Sequence, residues 1–170
     1  MHPNGALLNR LFQALDQHDH AAMAACYDST ATFRDIAFEL VGSTQIRGMW
    51  QMICDSDIRV TWEVIEADEH KGRVKLVDTY HFGASKDPPK EGRLVTNAIE
   101  SRFLFKGGLI TRQHDFCDAR AWARAALGGP IGFLAGRLRF LRSWKANQKL
   151  EAFLEMHSGK DSARRAVRTS

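Results

Sequence analysis

The stretch "GRLVTNAIESRFLFKGGLITRQHDFCD", residues 92–118, alternates apolar and polar residues on both sides of the tight turn "KGG". Alternation is the pattern of a half-buried strand, and two such runs joined by a glycine turn predict a hairpin. The upstream runs "DIRVTWEVIEAD" and "GRVKLVDTYHFG" alternate in the same way and predict two further strands. Sheets built of long hairpins must twist and curl, so these strands predict a curled antiparallel sheet.

Helical periodicity precedes these strands. Residues 5–17 repeat leucine and phenylalanine at helical spacing after Asn4, a residue type that caps helices, and predict a first helix. The run "DHAAMAACY" predicts a second helix with Asp19 as its N-cap, and "STQIRGMWQMI" predicts a third. Between them the period changes to two, so residues 31–40 are predicted to form a strand. The predicted fold class is α+β: a cone-shaped curled antiparallel sheet packed on three N-terminal helices, with an appended C-terminal helical segment.

The charge of the chain divides at Asp118. Residues 1–118 hold 13 Lys/Arg and 17 Asp/Glu, a net charge of −4, whereas residues 119–170 hold 11 and 3, a net charge of +8. We predict a cone domain over 1–118, a helical extension over 119–157 and a disordered basic tail over 158–170. The basic segment favours packing on the cone or on a second copy of the chain. We expect no nucleic-acid partner, and contact of the basic helix with a membrane surface stays a weaker alternative.

The composition is that of an ordinary globular domain. The chain has 170 residues, 44% hydrophobic and 26% charged, which is enough to bury a core without disulfides or metal. No apolar run is long enough for a membrane span, and the N-terminus lacks the pattern of a secretory leader. The cysteines Cys26, Cys54 and Cys117 are odd in number and lie in apolar surroundings, so we predict free thiols and a cytoplasmic location.

Three local strings, in this order, resemble the nuclear-transport-factor-2-like superfamily, in particular its SnoaL-like and ketosteroid-isomerase-like members. They are "AACYDSTATFRD", "GSTQIRGMW" and "FLFKGGLITRQHDFCD", within a resemblance that spans about residues 5–118. The resemblance implies a cone with a deep apolar pocket for a small molecule, usually in a homodimer. Members include isomerases, polyketide cyclases, epoxide hydrolases, dehydratases and non-catalytic binding proteins, so the activity stays open.

Three side chains are candidate catalytic groups. Asp35 falls where the resemblance places a general base, and an apolar cavity raises the pKa of a carboxyl group towards a useful range. Strand parity puts Asp35 on the same face as Phe33. Asp115 matches an acid–base aspartate of SnoaL-like cyclases, and His114 is its competitor because imidazole titrates near neutral pH. Asp115 and His114 point to opposite faces of their strand, so at most one of them lines the pocket.

Aromatic and polar residues are the candidate substrate-binding groups. Tyr27 and Tyr80 carry hydroxyls that can donate to a substrate carbonyl, although core aromatics whose polar tips bind backbone are the simpler interpretation. The central strand is expected to add an orienting or oxyanion-binding group, and parity sets Asn97 opposite to Glu100. The full predicted set is Tyr27, Phe33, Trp50, Tyr80, Asn97 and Glu100.

The sequence departs from the ketosteroid isomerases at their oxyanion hole. The position of their hydrogen-bonding tyrosine falls on Leu11, next to Phe12, and neither side chain can donate a hydrogen bond. The position of their second donor falls near Glu100. We therefore expect no ketosteroid isomerase activity.

One short string of the sequence is a candidate metal-binding motif. The string "HDH" at residues 18–20 resembles a metal-binding pair, but no further ligand stands at a suitable spacing, so we expect no metal and no cofactor. The leading hypothesis is a small cofactor-independent pocket enzyme of isomerase, cyclase, hydrolase or dehydratase type. It would move protons on an apolar carbonyl-bearing or polycyclic small molecule. The alternative is a non-catalytic module that binds a hydrophobic small molecule.

Overall fold

The computed structural model describes residues 2–86, 89–128 and 150–151. Within these residues the helices come first and the long strands follow, as predicted. The helices are α1 (Pro3–Asp16), α2 (His20–Ala24), α3 (Ser43–Cys54) and α4 (Ala119–Leu127). The strands are β1 (Tyr27–Arg34), β2 (Glu39–Val41), β3 (Arg59–Ala67), β4 (Lys71–Phe82), β5 (Ser85–Lys86), β6 (Pro89–Lys90), β7 (Arg93–Lys106) and β8 (Leu109–Cys117).

Six of the strands form one curled, unclosed sheet in the order β2-β1-β8-β7-β4-β3, and β5 pairs with β6 beyond the end of β4. Neighbouring strands are antiparallel except β1 and β8, which run parallel with Phe33 opposite Gln113. The predicted antiparallel pairing holds for the other neighbours in the sheet, and the β1–β8 pair is a parallel exception to it. The direction of β8 is set by the turns of the meander that it ends, and not by the strand beside which it finally lies.

The concave face of the sheet is the core side. Along β4, Gly72, Val74 and Leu76 are buried, while the residues between them are half-buried or exposed. Helix α1 packs on this face, where the rings of Phe12 and Phe103 meet edge-on with their centroids 6.3 Å apart. Removing these apolar side chains from water is the main favourable contribution to folding. The predicted α+β cone with N-terminal helices on one face is confirmed.

The predicted strand over residues 31–40 is interrupted by a turn. β1 ends at Arg34 and β2 begins at Glu39, and the two strands are antiparallel neighbours. The Asp35 carboxylate makes the turn between them, because its Oδ1 accepts from the backbone N–H groups of Ala37 at 2.6 Å and Phe38 at 2.5 Å. Aspartate commonly supplies such turns because its short side chain can bond the backbone just ahead of it. Asp35 therefore lies at the end of a strand and not in the middle of one.

The N-terminal caps agree with prediction at one helix and differ at another. Asp19 caps α2 as predicted. At α1 the cap is His2, whose Nδ1 accepts from the Asn4 N–H at 3.2 Å. The Asn4 side chain is buried instead and donates to the carbonyl oxygens of Asp68 and Glu69, at 2.8 and 3.2 Å. These hydrogen bonds from Asn4 connect the start of α1 to the β3–β4 turn.

The C-terminal segment is described in part. Helix α4 ends at Gly128, whose φ of +69° suits glycine. Most of the helical extension predicted over 119–157, and all of the tail predicted over 158–170, lie outside the described residues. Residues 150–151 are helical, and Leu150 is buried with the hydrophobic core. Among the described residues, no helix combines the length and apolarity that crossing a membrane requires.

The close approach of α1 to the sheet generates a prediction about Gly72. A Cβ atom at this position would meet Leu8 Cδ1 at 2.9 Å and Phe105 Cζ at 2.9 Å. Strand propensity alone favours alanine over glycine, but overpacking of this contact should dominate. We expect Gly72→Ala to lower the free energy of unfolding by about 1–3 kcal/mol, as measured by urea denaturation.

The control is Thr79→Ala, on the exposed face of the same strand, which should change stability by less than about 0.5 kcal/mol. A Gly72→Ala protein as stable as the native chain, or more stable, would contradict the tight helix–sheet contact.

Candidate active site

Three carboxylates lie on the concave face of the sheet, at its end nearest the β1–β2 turn. Asp35 follows β1, Asp78 lies in β4 and Asp115 lies in β8. Asp78 shares its face with the buried side chains of Val74 and Leu76, and Asp115 shares its face with buried Gln113. Burial raises the pKa of all three, and repulsion within the cluster raises the pKa of Asp78 and Asp115 further. The cluster is the main polar feature of the concave face in the described part of the chain.

The pKa of each carboxyl group is raised above its ordinary value, chiefly by burial. Burial raises the pKa of Asp78 to about 7, with repulsion from Asp35 as a further cause. The pKa of Asp115 also rises to about 7 through burial, and repulsion from Asp35 and Asp78 adds to the rise. Burial raises the pKa of Asp35 to about 6, against the two turn N–H groups that favour its charged form. The groups therefore titrate as a coupled set near neutral pH.

Asp78 is the member of the cluster with the fewest protein contacts. It is 9% exposed, and its buried Oδ1 atom has no hydrogen-bond partner among the described residues. In the sheet it lies opposite Asn97 of β7, which also belongs to the concave face. A buried carboxylate oxygen without a donor is costly. The cost is smallest when Asp78 is protonated, which is why its pKa is raised.

Asp115 is held by a chain of buried hydrogen bonds that starts on α3. Trp50 Nε1 donates to the Tyr27 hydroxyl at 3.1 Å, and that hydroxyl donates to Gln113 Oε1 at 2.5 Å. Gln113 Nε2 then donates to both Asp115 oxygens, at 3.0 and 3.1 Å. Burial raises the pKa of Tyr27 well above its ordinary value, so its hydroxyl remains a neutral donor. Three elements of the fold thereby fix the position of one carboxylate.

Ser101 of β7 lies opposite Asp115 and is fully buried. Its hydroxyl is close enough to lower the pKa of Asp115, although Oγ makes no hydrogen bond of good geometry with the described residues. Tyr80, two residues beyond Asp78 on the same face of β4, accepts from Trp122 Nε1 of α4 at 2.7 Å. Burial raises the pKa of Tyr80 to about 12, so its hydroxyl keeps a proton to donate.

The predicted site residues divide between the two faces of the sheet. His114 lies on the outer face, where its ring centroid is 4.0 Å from that of Phe116. Glu100 is also on the outer face, 2.8 Å from Arg102 and 3.9 Å from Arg73 in ion pairs. The physical reason is strand alternation, which turns both away from Asp115.

The other predicted residues belong to the concave side. Tyr27, Trp50, Tyr80 and Asn97 lie near the carboxylates through the contacts given above, and Asn97 also acts on the pKa of the Cys117 thiol. Phe33 is buried in the core, edge-on to Trp50 with 5.7 Å between ring centroids. Leu11 and Phe12 are fully buried core side chains.

Sequence reasoning missed Asp78 and Gln113. The signal for Asp78 was present in "KLVDTYHF", where alternation sets it between Leu76 and Tyr80 on one face, as it sets Asp35 beside Phe33. Gln113 precedes Asp115 by two residues and shares its face by the same rule. No sequence pattern reveals that Gln113 bonds Tyr27, because the two are 86 residues apart.

Metal ligation has no evident site in the described residues, where no three His, Cys, Asp or Glu side chains lie close enough to hold an ion. Within the "HDH" string, the His18 ring nitrogens face the carbonyl oxygens of Cys54 at 2.7 Å and Ile58 at 2.9 Å. His18 therefore connects the α1–α2 junction to the segment after α3.

Comparison with protein families matches a SnoaL-like domain over residues 8–113. The chain belongs to the SnoaL-like family. Curated protein sequences give no significant match.

Solved structures share the fold at low sequence identity. A proposed polyketide cyclase from Silicibacter sp. TM1040 is 16% identical, with a TM-score of 0.63 over 72% of this chain and 93% of that one. An LEH-like epoxide hydrolase from M. tuberculosis is 14% identical, with a TM-score of 0.58 over 78% and 96%. An NTF2-like protein of unknown function from Cytophaga hutchinsonii is 16% identical, with a TM-score of 0.52 over 71% and 94%.

The raised pKa values generate a prediction about stability and pH. A carboxyl group whose pKa is raised on folding stabilises the folded state below its unfolded pKa, near 3.8, and that stability is lost as pH rises through the folded pKa of about 7. Asp78→Asn removes this loss. We expect the variant to be more stable than the native chain at pH 8 by on the order of a few kcal/mol, and nearly equal to it at pH 4.

The measurement is urea unfolding at several pH values between 4 and 8. Glu63→Gln, at an exposed position of the outer face, is the control and should follow the native pH dependence. Equal pH slopes for Asp78→Asn and the native chain would contradict the burial of an ionisable Asp78.

Proposed function

We propose that the chain is a cofactor-independent enzyme that uses Asp35, Asp78 and Asp115 to move protons on an apolar carbonyl-bearing or polycyclic small molecule. The observation that carries the proposal is a cluster of three carboxyl groups on one face, of which Asp78 is buried and the other two are half-buried, with pKa values raised to about 6 and about 7. Acid–base catalysis works best when the pKa of the catalytic group lies near the working pH. The SnoaL-like fold supports a small-molecule pocket, since similar structures include a proposed polyketide cyclase and an epoxide hydrolase.

The division of roles follows from the hydrogen bonds that the carboxyl groups receive. Two backbone N–H groups donate to Asp35 and favour its charged form, so it acts as the general base that removes a proton from carbon next to the substrate carbonyl. Asp78 and Asp115 keep their protons to higher pH, and either can return a proton to oxygen or to another carbon. The Tyr80 hydroxyl is the proposed donor to the substrate carbonyl. Tyr27 is engaged with Gln113, so it serves to position Asp115.

Proton abstraction can be tested without knowing the natural substrate. We expect the chain to catalyse exchange of the α-hydrogens of 1-tetralone in D₂O, followed by mass spectrometry. Asp35→Asn should lower the rate by about 100-fold or more, because the amide keeps the oxygen that accepts the turn N–H groups but cannot act as a base. The native rate should pass through a maximum between about pH 6 and 7, where Asp35 is ionised and its partners are protonated.

His114→Gln is the control for this experiment, because His114 lies on the outer face, and it should exchange at the native rate. Unchanged exchange in Asp35→Asn would sink the proposed role of Asp35. Tight binding of 1-tetralone with no exchange by the native chain would favour the alternative function, a non-catalytic binding module.

The outer face of the sheet supports a homodimer, which we include in the proposal. A groove of about 720 Å³ crosses this face and is lined in part by Val77, Ala98 and Phe116. Val77 and Phe116 are 40% and 41% exposed. The charges around the groove have both signs, with Glu63 and Glu100 opposite Lys75. A second copy related by a two-fold axis meets such a face with matching apolar area and opposite charges.

The dimer is testable by sedimentation. We expect the native chain to sediment at twice its 19.2 kDa mass, and Phe116→Glu to shift it towards monomer, because a buried unpaired charge at an interface is costly. Leu127→Glu, an equally exposed apolar residue on α4, is the control and should leave the dimer intact. A monomeric native chain would refute this interface.

The location in the cell is proposed on the cysteines. Cys26, Cys54 and Cys117 are all free thiols. Unpaired thiols are typical of a reducing compartment, and we propose the cytoplasm.

A further inference from the structure

We infer that the carboxylate site accepts a substrate whose apolar body carries a cationic nitrogen, such as a protonated amine. The inference deepens the proposed function, on which it rests, by naming a chemical class of substrate. It is carried by the charges on the concave face and by one buried carboxylate oxygen, Asp78 Oδ1, that has no hydrogen-bond partner among the described residues.

The charge of the concave face is one-sided in the described strands. The three aspartates supply negative charge, and the one basic residue at a concave position is Arg93, the first residue of β7. Its Nε donates to the Ala125 carbonyl oxygen at 3.0 Å, at the C-terminal end of α4. No Lys or Arg of the described residues lowers the pKa of any of the three carboxyl groups. The protein itself therefore leaves this negative cluster uncompensated over the described range.

A buried carboxylate oxygen without a hydrogen-bond partner indicates a ligand that donates hydrogen bonds. Asp78 is about nine-tenths buried, and its Oδ1 has no partner among the described residues. Native proteins seldom leave buried polar atoms unpaired. An ammonium group supplies several N–H donors and a positive charge at once, and its bonds to carboxylates are about twice as strong as neutral ones.

The class of cation follows from the spacing and the neighbours of the carboxylates. No three potential ligands in the described residues lie close enough for a metal ion, which favours an organic cation. Tyr80 adds an aromatic ring on the same strand face as Asp78, and aromatic faces attract cations. The apolar body attached to the nitrogen follows from the proposed function, whose substrate is an apolar small molecule.

Binding should depend on pH in a defined direction. The carboxyl groups are largely protonated below about pH 6 and ionise as pH rises through about 7. A ligand that stays cationic over this range should therefore bind more tightly at pH 8 than at pH 5, releasing protons from the site at intermediate pH.

The experiment compares cyclohexylamine, cyclohexanol and cyclohexanecarboxylate, which share one apolar ring and differ in charge. Isothermal titration calorimetry with the full chain should show the ammonium binding at least 10-fold more tightly than the alcohol at pH 8, with the carboxylate weakest. The preference should shrink at pH 5. Asp78→Asn and Asp115→Asn should each lower the ammonium affinity about 10-fold at pH 8, while Glu69→Gln in the exposed β3–β4 turn should not.

Equal affinity for the ammonium and the alcohol at pH 8 would overturn the inference, and so would failure of all three compounds to bind. The result of this binding experiment is independent of the result of the 1-tetralone exchange experiment. Exchange of 1-tetralone without an ammonium preference overturns this inference alone, whereas an ammonium preference without exchange overturns the proposed catalysis.

Discussion

Side-chain alternation along β4, β7 and β8 is the constraint on which both the core and the candidate site depend. These strands place every second residue against the N-terminal helices, so the choice of apolar or acidic residue at one parity decides what the helices enclose. On β4 the same parity runs from Gly72, which admits α1, to Asp78, which enters the acidic cluster. Core and site are thus two ends of one surface. A shift of register by one residue would expose both together.

Placing the carboxyl groups of Asp35, Asp78 and Asp115 together on the concave face lowers the stability of the folded state. Each carboxyl group loses hydration, and repulsion within the cluster acts on Asp78 and Asp115. The fold offers partial compensation in two places: the backbone N–H groups at Asp35 and the Gln113 amide at Asp115. Asp78 receives no such compensation from the described residues. Ionisable groups whose pKa is raised by their surroundings, and which gain no stabilising contact there, are concentrated at functional sites. The absence of compensation at Asp78 is therefore more informative about function than the contacts of its neighbours.

The fold could be predicted from local patterns, but the site could be predicted only in part. Alternation and helical spacing located the long strands and the helices, because these signals are carried by neighbouring residues. The parallel β1–β8 pair and the turn at Asp35 escaped prediction, because the first depends on long-range topology and the second on a side chain that bonds backbone two and three residues ahead. Strand parity predicted that at most one of His114 and Asp115 lines the pocket, but it did not identify which one. The face was decided by the register of β8 against β7, a contact between distant parts of the chain.

The hydrogen-bonded chain from Trp50 to Asp115 has a consequence for the path of protons. Its central link, Gln113, is a carboxamide, which accepts at oxygen and donates at nitrogen but cannot pass a proton between them without changing tautomer. The hydrogen-bonded chain therefore does not conduct protons. It fixes the position of Asp115 and gives it no proton route through Gln113 towards α3.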